Sequence, residues 1–259
     1  MDYGPTVIDE RFAGGLDLAT WTPAYMPAWS SRDEARATYT ADDGGLHLTL
    51  PPDHPRWCPH PPNLHEEPMR VSAVQSGNRS GPVGSSDAQQ PFRDGLVVTE
   101  EQPTQWGYTP LYGVVEVTCR ATIGPRSMFS AWMVGLEDAP DRCGELCIVE
   151  VFGDTVRDDG TVALGRGVHR FRDPALTEEF SADPHPLDVA AEHRYTVDWR
   201  PGRVDFFVDD VHTRTVHQAP AYPLQLILGV FDFARRPDEE GREPAVPALV
   251  VRRVHGIAP

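Results

Sequence analysis

Hydrophobic and polar residues alternate with a period of two along most of the chain, and glycine, proline and aspartate interrupt the alternation at short intervals. Because neighbouring side chains of a strand point to opposite faces, this pattern is typical of half-buried strands joined by turns. Helical periodicity is nearly absent and predicts only a short helix around Leu187–Glu192. The clearest predicted strands are Gly45–Leu50, Leu96–Thr99, Gly113–Ile123, Met128–Val134, Leu146–Phe152, His193–Trp199, Arg203–Val208, Leu224–Phe231 and Ala248–Val254.

Many strands without intervening helices predict an all-β fold of two packed antiparallel sheets, a β-sandwich or jelly roll. A length of 259 residues is compatible with two domains, but sandwiches of this size commonly form one, so we predict a single β-sandwich domain over residues 1–259. The segment Pro51–Pro91 is rich in proline, serine, glycine, asparagine and histidine, which predicts a long loop region at 51–91. Loops of that length are usually functional or mobile. A second, acidic loop is predicted at Pro237–Pro247.

The composition disfavours several classes of function. The formal net charge of −16 argues against binding to nucleic acid or to an anionic membrane surface, because phosphate groups would be repelled. No apolar run is long enough to predict a transmembrane helix. The first residues lack the basic and apolar regions of a signal peptide, so we expect a cytoplasmic protein, or a secreted one whose leader has been removed.

The cysteines and histidines give no strong sign of a metal site. The four cysteines are irregularly spaced, which fits neither a zinc site nor a disulfide framework and favours reduced thiols; they are Cys58, Cys119, Cys143 and Cys147. His60 and His65 are followed by Glu66 and Glu67, yet their place in a proline-rich segment is more typical of a solvated loop than of metal ligands. We therefore expect neither a metal nor a cofactor.

The run Gly144–Glu150 contains two glutamates in an otherwise apolar strand. Glu145 and Cys147 share one face of a regular strand, whereas strict alternation places Glu150 on the opposite face. One extra residue, a β-bulge, would return Glu150 to the face of Glu145, and bulges are common beside active sites. The two carboxyl groups would then lie near the separation of about 5 Å that double displacement at a glycosidic carbon requires. The alternative is that Glu145 ends a loop and Glu150 is exposed on an edge strand.

Several segments in this order resemble glycoside hydrolase family sixteen, which includes laminarinases, lichenases, agarases and xyloglucan transglycosylases. The resemblance covers about residues 105–255 and is loose over residues 1–104, where Asp9–Phe12 and Gly44–Leu48 carry most of it. It implies a concanavalin A-like fold. The segments that resemble the family's strands are Tyr112–Val117, Met128–Met133, Gly144–Glu150, His193–Gly202, Phe206–Asp210 and Pro223–Val230.

The resemblance implies catalytic roles for the glutamates. The family pattern is Glu-x-Asp-x-x-Glu, and it makes Glu145 the nucleophile that forms a covalent glycosyl-enzyme and Glu150 the acid/base. This sequence departs from the pattern because Cys147 stands where the family has the middle aspartate. A thiol is neutral unless it is activated, so the two glutamates lose a carboxylate that would orient them. No histidine is adjacent in sequence to activate Cys147, which disfavours a cysteine nucleophile.

Substrate-binding candidates follow from the same resemblance. Trp106 and Trp132 match positions that line or border the family's cleft, where aromatic rings pack on the apolar faces of sugars, although Trp132 is almost as compatible with a buried core position. His169 resembles a family histidine near the cleaved bond, and Arg170 or Arg172 could hold a substrate hydroxyl or acidic group; a surface histidine is the alternative. Phe231 could reach the end of the cleft, as could Phe233.

Two further features are left open by the sequence. Trp21, Tyr25 and Trp29 could form a hydrophobic loop over the cleft, although packing of the N-terminal segment explains them more simply. Many family members hold a structural calcium through an acidic residue of the last strand, but that position is Val251 here, so the resemblance does not support calcium.

Three functions are compatible with these residues. The first is a retaining hydrolase or transglycosylase on a β-linked glycan, and an open groove would favour it. The second is an intracellular tailoring enzyme on a small glycosylated or polycyclic metabolite, and a closed apolar pocket capped by 51–91 would favour it. The third is a non-catalytic carbohydrate-binding relative, and glutamates that turn apart would favour it. The expected partner is a carbohydrate or glycosylated small molecule, and the oligomeric state cannot be predicted.

Overall fold

In the computed structural model, which describes residues 4–234 and 245–259, the chain folds almost entirely into strands. Short 3-10 helices occur at Pro27–Trp29 and Gly153–Thr155. No helix among the described residues is long and apolar enough to cross a membrane. The strands are β1 (Thr6–Glu10), β2 (Thr38–Asp42), β3 (Gly45–Thr49), β4 (Met69–Gln75), β5 (Gly77–Asn78), β6 (Gln105–Trp106), β7 (Gly113–Thr122), β8 (Ser127–Gly135), β9 (Glu145–Phe152), β10 (Thr161–His169), β11 (Glu179–Pro186), β12 (His193–Arg200), β13 (Arg203–Val208), β14 (Val211–Val216), β15 (Leu224–Phe233) and β16 (Ala248–Ile257).

The strands form two large sheets that pack face to face. One sheet has the order β14-β13-β12-β7-β16-β3-β2, with β1 also paired to β16, and the other has the order β11-β10-β9-β8-β15-β4. Their strand pairs are antiparallel. This confirms the predicted all-β sandwich of the jelly-roll, concanavalin A-like type. That residues 1–259 form a single domain stays a prediction.

Strand alternation determines what lies on each face of the six-stranded sheet. In β8, Phe129 and Met133 belong to the core between the two sheets. Met128 and Trp132 point the other way and belong to a second hydrophobic cluster on the outer face of the same sheet. The six-stranded sheet is therefore buried on both sides along part of its width, and its outer face carries the candidate site.

The prediction of a loop throughout Pro51–Pro91 is wrong for one stretch. Met69–Gln75 forms β4, which pairs with β15 from Phe233↔Met69 to Ile227↔Gln75. Six of its seven residues are buried, because β4 is covered on both faces, so the polar alternation that marks a half-buried strand is missing. Most of the remaining segment is loop.

Other local predictions also need correction. Leu96–Thr99 is a loop whose amides bond to other loops, as Val98 N–H does to Ser85 O at 2.7 Å. Leu187–Glu192 is not a helix, because the carboxylate of Asp188 accepts the amide of Ala190 and closes a turn. Residues 237–244 of the predicted acidic loop lie outside the described residues.

Candidate active site

The predicted β-bulge is present in β9. On the β8 side, Trp132 pairs with Cys147 and Ala131 pairs with Val149, so Ile148 is the additional residue. Ile148 and Val149 both belong to the core between the sheets. This two-residue step returns the next side chain, that of Glu150, to the face that carries Glu145 and Cys147.

Glu145 and Glu150 line one pocket of about 460 Å³ on the outer face of the six-stranded sheet. Its other polar lining includes Gln90, Glu137, His169 and Arg172. The two glutamates face the same pocket. Glutamates that turned apart would have favoured a non-catalytic relative. The three carboxyl groups and the guanidinium group of Arg172 lie close together in a pocket with many aromatic side chains. Their charges therefore interact strongly with one another.

Glu145 is held in an environment that favours its protonated form. The residue is only 8% exposed, and its side chain accepts a hydrogen bond from Gln90 Nε2 at 3.2 Å. Burial, and after it the negative charge of Glu150, raise the pKa of Glu145 to about 8. Because two interacting carboxyl groups titrate as a pair, the pair retains a proton near neutral pH.

His169 connects Glu145 to a further acidic residue. Its Nε2 lies 4.0 Å from Glu145 Oε1, and its Nδ1 lies 2.6 Å from Glu178 Oε1. The imidazole also stacks on Phe180, with ring centroids 4.3 Å apart and planes at 25°. Glu178 is itself fixed by the backbone N–H of Arg170, which donates to Oε2 at 3.2 Å. The ring is therefore oriented by a carboxylate on one side and faces Glu145 on the other.

Cys147 occupies the middle of the motif as a buried thiol. It is 1% exposed, and its Sγ lies 4.0 Å from Gly165 O. Burial, followed by the charges of Glu150 and Glu145, raises the pKa of Cys147 well above its usual value. The thiol is consequently neutral and a poor nucleophile. All four cysteines are buried and free, in agreement with the expectation of reduced thiols.

Glu137 and Gln90 are pocket residues that the sequence reasoning missed. Glu137 is 6% exposed, pairs with Arg172, and accepts the backbone N–H of Gln90 at 2.6 Å. Burial raises the pKa of Glu137 despite these bonds. Gln90 has a left-handed backbone (φ 45°), which lets its amide reach Glu137 while its side chain reaches Glu145. No sequence motif marks either residue, since both lie on loops joined only in three dimensions.

The predicted aromatic and basic candidates divide into two groups. Trp132 and Phe231 line the pocket, as does Phe233. Trp106 does not, because it lies on β6 beside Gly77 and is 47% exposed. Arg170 also lies outside the pocket lining and is exposed, so that Arg172 is the arginine of this segment that reaches it.

The N-terminal aromatic residues have separate places. Tyr25 lines the pocket, whereas Trp21 and Trp29 are buried at 0% and 1% exposure. The packing interpretation therefore agrees with the two tryptophans, whereas Tyr25 forms part of the pocket wall.

Among residues 4–234 and 245–259, no group of three or more histidine, cysteine, aspartate or glutamate side chains is arranged to hold a metal ion. His65 Nδ1 bonds to Glu67 O at 2.7 Å, and His60 Nε2 lies 3.6 Å from Glu34. Val251 is fully buried in the core between the sheets.

Comparisons with known proteins give a consistent picture of the fold. A solved structure of a GlcNAcα1-4Gal-releasing endo-β-galactosidase from Clostridium perfringens superposes with a TM-score of 0.81 at 22% identity, covering 99% of this chain and 63% of that one. The laminarinase catalytic domain of Thermotoga maritima gives 0.63 at 13% identity, covering 100% and 99%. A protein from a study of endo-acting O-glycanases of the human gut microbiota gives 0.60 at 18% identity, covering 98% and 100%.

The chain thus spans less than two thirds of the endo-β-galactosidase structure, and no curated protein matches its sequence. The sequence pattern of Glycosyl hydrolases family 16 matches residues 105–242, which include the bulged strand β9 and its neighbours β8 and β10. The two glutamates, the bulge and the strands around them all lie inside that match. The chain belongs to glycosyl hydrolases family 16.

Proposed function

We propose that the protein is a retaining glycoside hydrolase or transglycosylase that acts on a β-linked glycan through Glu145 and Glu150. The observation that carries this proposal is the bulge at Ile148, which brings both carboxyl groups to one pocket with aromatic walls. Family membership supports the same class of reaction. No cofactor is required, because the two carboxyl groups supply the nucleophile and the proton.

The reaction needs one ionised and one protonated carboxyl group. In the first step, a carboxylate oxygen of Glu145 attacks the anomeric carbon while the carboxyl group of Glu150 donates its proton to the leaving oxygen. The glycosyl–Glu145 ester forms as the glycosidic bond breaks. In the second step, Glu150 removes a proton from water, or from a sugar hydroxyl in transglycosylation, and the resulting oxygen nucleophile displaces Glu145.

His169 and Glu178 form a hydrogen-bonded pair beside Glu145 that the family motif does not contain. The Nδ1 of His169 lies 2.6 Å from Glu178 Oε1, which orients the ring, and its Nε2 lies 4.0 Å from Glu145 Oε1. The neutral thiol of Cys147 carries no charge that could orient Glu145, so the placement of Glu145 draws on this pair and on the hydrogen bond from Gln90.

The test is a screen of named polysaccharides, chosen because the structural neighbours act on β-glucans, β-galactosides or mucin glycans by their own names. Laminarin, mixed-linkage β-1,3(4)-glucan and gastric mucin are incubated with the protein, and released sugars are analysed. Activity on at least one of them is expected. Proton NMR during the first turnovers should show product with the anomeric configuration of the substrate, whereas inversion contradicts double displacement.

Matched variants assign the roles of the two glutamates. Glu145→Gln and Glu150→Gln should each reduce kcat by at least 10²–10⁴-fold, whereas the exposed Glu101→Gln should leave it unchanged. If Glu145→Gln retains wild-type activity, the nucleophile assignment fails. If the wild type is inert on every glycan and Cys147→Asp creates activity, the natural protein is not a hydrolase.

A further inference from the structure

From the contacts of the loop that precedes Pro91, we infer that Glu137 is a positioning residue of the reaction, which acts by holding Gln90 against Glu145. The inference rests on the proposed function and concerns what fixes the carboxyl group that attacks the sugar. Its basis is a chain of two hydrogen bonds, from the backbone of Gln90 to Glu137 and from the side chain of Gln90 to Glu145.

Gln90 supplies the hydrogen bond that holds the carboxyl group of Glu145. Its Nε2 donates to Glu145 Oε2 at 3.2 Å, whereas His169 Nε2 lies 4.0 Å from Oε1, which is too far for a hydrogen bond. Burial dominates and raises the pKa of Glu145, but the bond from Gln90 acts in the opposite direction and favours the ionised form. Losing this contact should therefore slow the attack more than it weakens substrate binding.

The backbone of Gln90 is in a conformation that its own sequence disfavours. Its φ is 45°, in the left-handed region that is costly for a residue with a Cβ. The next residue is Pro91, whose ring restricts the preceding residue to extended conformations. Such strain persists only where the surrounding structure imposes it, and it is concentrated at active sites. Contacts from outside the loop must therefore hold Gln90 in place.

Glu137 provides that contact. Its Oε1 accepts the backbone N–H of Gln90 at 2.6 Å, and its Oε2 is paired with Arg172. Its own φ is 55°, and its carbonyl oxygen accepts a hydrogen bond from Arg79 Nη1 at 2.7 Å. Both carboxylate oxygens are thus engaged within the protein, and the residue is only 6% exposed. Glu137 is therefore placed to act on the loop of Gln90 rather than on a sugar.

The residue before Gln90 is anchored as well. Gln89 O accepts Trp29 Nε1–H at 2.6 Å, and Gln89 Oε1 accepts the backbone N–H of Arg79 at 3.0 Å. With Gln89 anchored on one side and the ring of Pro91 on the other, the bond to Glu137 fixes the turn between them. That turn directs the side chain of Gln90 at Glu145.

The test measures kcat and KM on laminarin, mixed-linkage β-1,3(4)-glucan or gastric mucin, whichever the wild type cleaves. Glu137→Asp keeps the charge but withdraws the acceptor by one methylene group, and should reduce kcat by roughly tenfold to hundredfold with little change in KM. Glu137→Gln keeps the length and an acceptor oxygen, while Arg172, whose side chain is 44% exposed, can turn to solvent, so kcat should stay close to that of the wild type. Gln90→Ala should match Glu137→Asp. Asp138→Ala, at the exposed neighbouring position, is the control and should change neither constant.

The double variant Gln90→Ala/Glu137→Asp distinguishes one connected unit from two independent effects. If Glu137 acts through Gln90, the double variant should have the kcat of Gln90→Ala alone, because the second substitution has nothing left to remove. Near-UV circular dichroism shows whether each variant is folded.

Four results would overturn the inference and leave the proposed function intact. They are losses that multiply in the double variant, a Glu137→Asp enzyme whose KM rises at unchanged kcat, a Glu137→Gln enzyme as impaired as Glu137→Asp, and a Gln90→Ala enzyme with the wild-type kcat. The last of these does not depend on whether the Glu137 variants fold. No turnover by the wild type on any of the three glycans would overturn the inference and the proposed function together.

Discussion

Glu145→Gln is expected to make the protein more stable at neutral and alkaline pH while removing the proposed nucleophile. Burial and the charge of Glu150 raise the pKa of Glu145 from 4.5 to about 8. The folded state therefore holds this proton more tightly than the unfolded state does. Its contribution to stability is fully present below about pH 4.5 and is lost as the pH rises towards 8.

The loss of unfolding free energy at a given pH depends on how far that pH lies above 4.5, the pKa of the unfolded glutamate, and on the folded-state pKa of about 8. Each unit of pH between 4.5 and 8 costs about 1.4 kcal/mol of unfolding free energy, so the cost is about 3 kcal/mol at pH 7 and below about 1 kcal/mol at pH 5. Glutamine has nearly the same shape but no charge, so Glu145→Gln should recover up to about 3 kcal/mol at pH 7. For a chain of this length that corresponds to a rise in Tm of roughly 6–12 °C.

The assay is thermal unfolding of the wild type, Glu145→Gln and Glu101→Gln at pH 5, 7 and 9. The gain in Tm for Glu145→Gln should grow with pH, and the exposed control should follow the wild type throughout. An equal gain at pH 5 and pH 9 would mean that glutamine only packs better, and no gain at pH 9 would mean that Glu145 is not electrostatically destabilised. Either result refutes the account of the site as a proton-sharing pair.

Three further predictions concern residues around the site and the sheet. Glu178→Gln should reduce kcat by roughly tenfold with little change in KM, because the ring of His169, which faces Glu145, loses the carboxylate that orients it; Glu179→Gln is the neighbouring control. Asp232→Asn should cost about 3–5 kcal/mol in urea unfolding, because Asp232 is 2% exposed and pairs with two arginines. Gly167→Ala should lower Tm, since its φ is 143° and a Cβ would lie 2.3 Å from Glu179 O; an unchanged Tm would contradict this.

The strand that carries Glu145 and Glu150 could be predicted from the sequence because its signal is local. Two glutamates five residues apart in an apolar run conflict with strict alternation, and a single bulge resolves that conflict. The structure has this bulge at Ile148, where two successive side chains enter the core. Strand β7 of the other sheet was predictable because one covered face leaves a period of two in the sequence.

What the sequence could not predict depends on tertiary contacts. Gln90 and Glu137 meet across 47 residues of chain, on loops without a repeating pattern. Strand β11 escaped detection because it contains Pro184 and Pro186 and is mostly exposed, which is tolerated at the edge of a sheet. Strand β4 escaped for the opposite reason, because it is covered on both faces.

The cysteine in the motif has a physical explanation in the charge of the pocket. The pocket already contains Glu137, Glu145 and Glu150, and burial raises the pKa of Glu137 as well as that of Glu145. A fourth carboxylate at position 147, which is 1% exposed, would raise these pKa values further and reduce the ionised fraction of Glu145. A neutral thiol avoids that repulsion, while His169, held by Glu178, places its Nε2 4.0 Å from Glu145 Oε1. On this account Cys147→Asp lowers activity rather than restoring it.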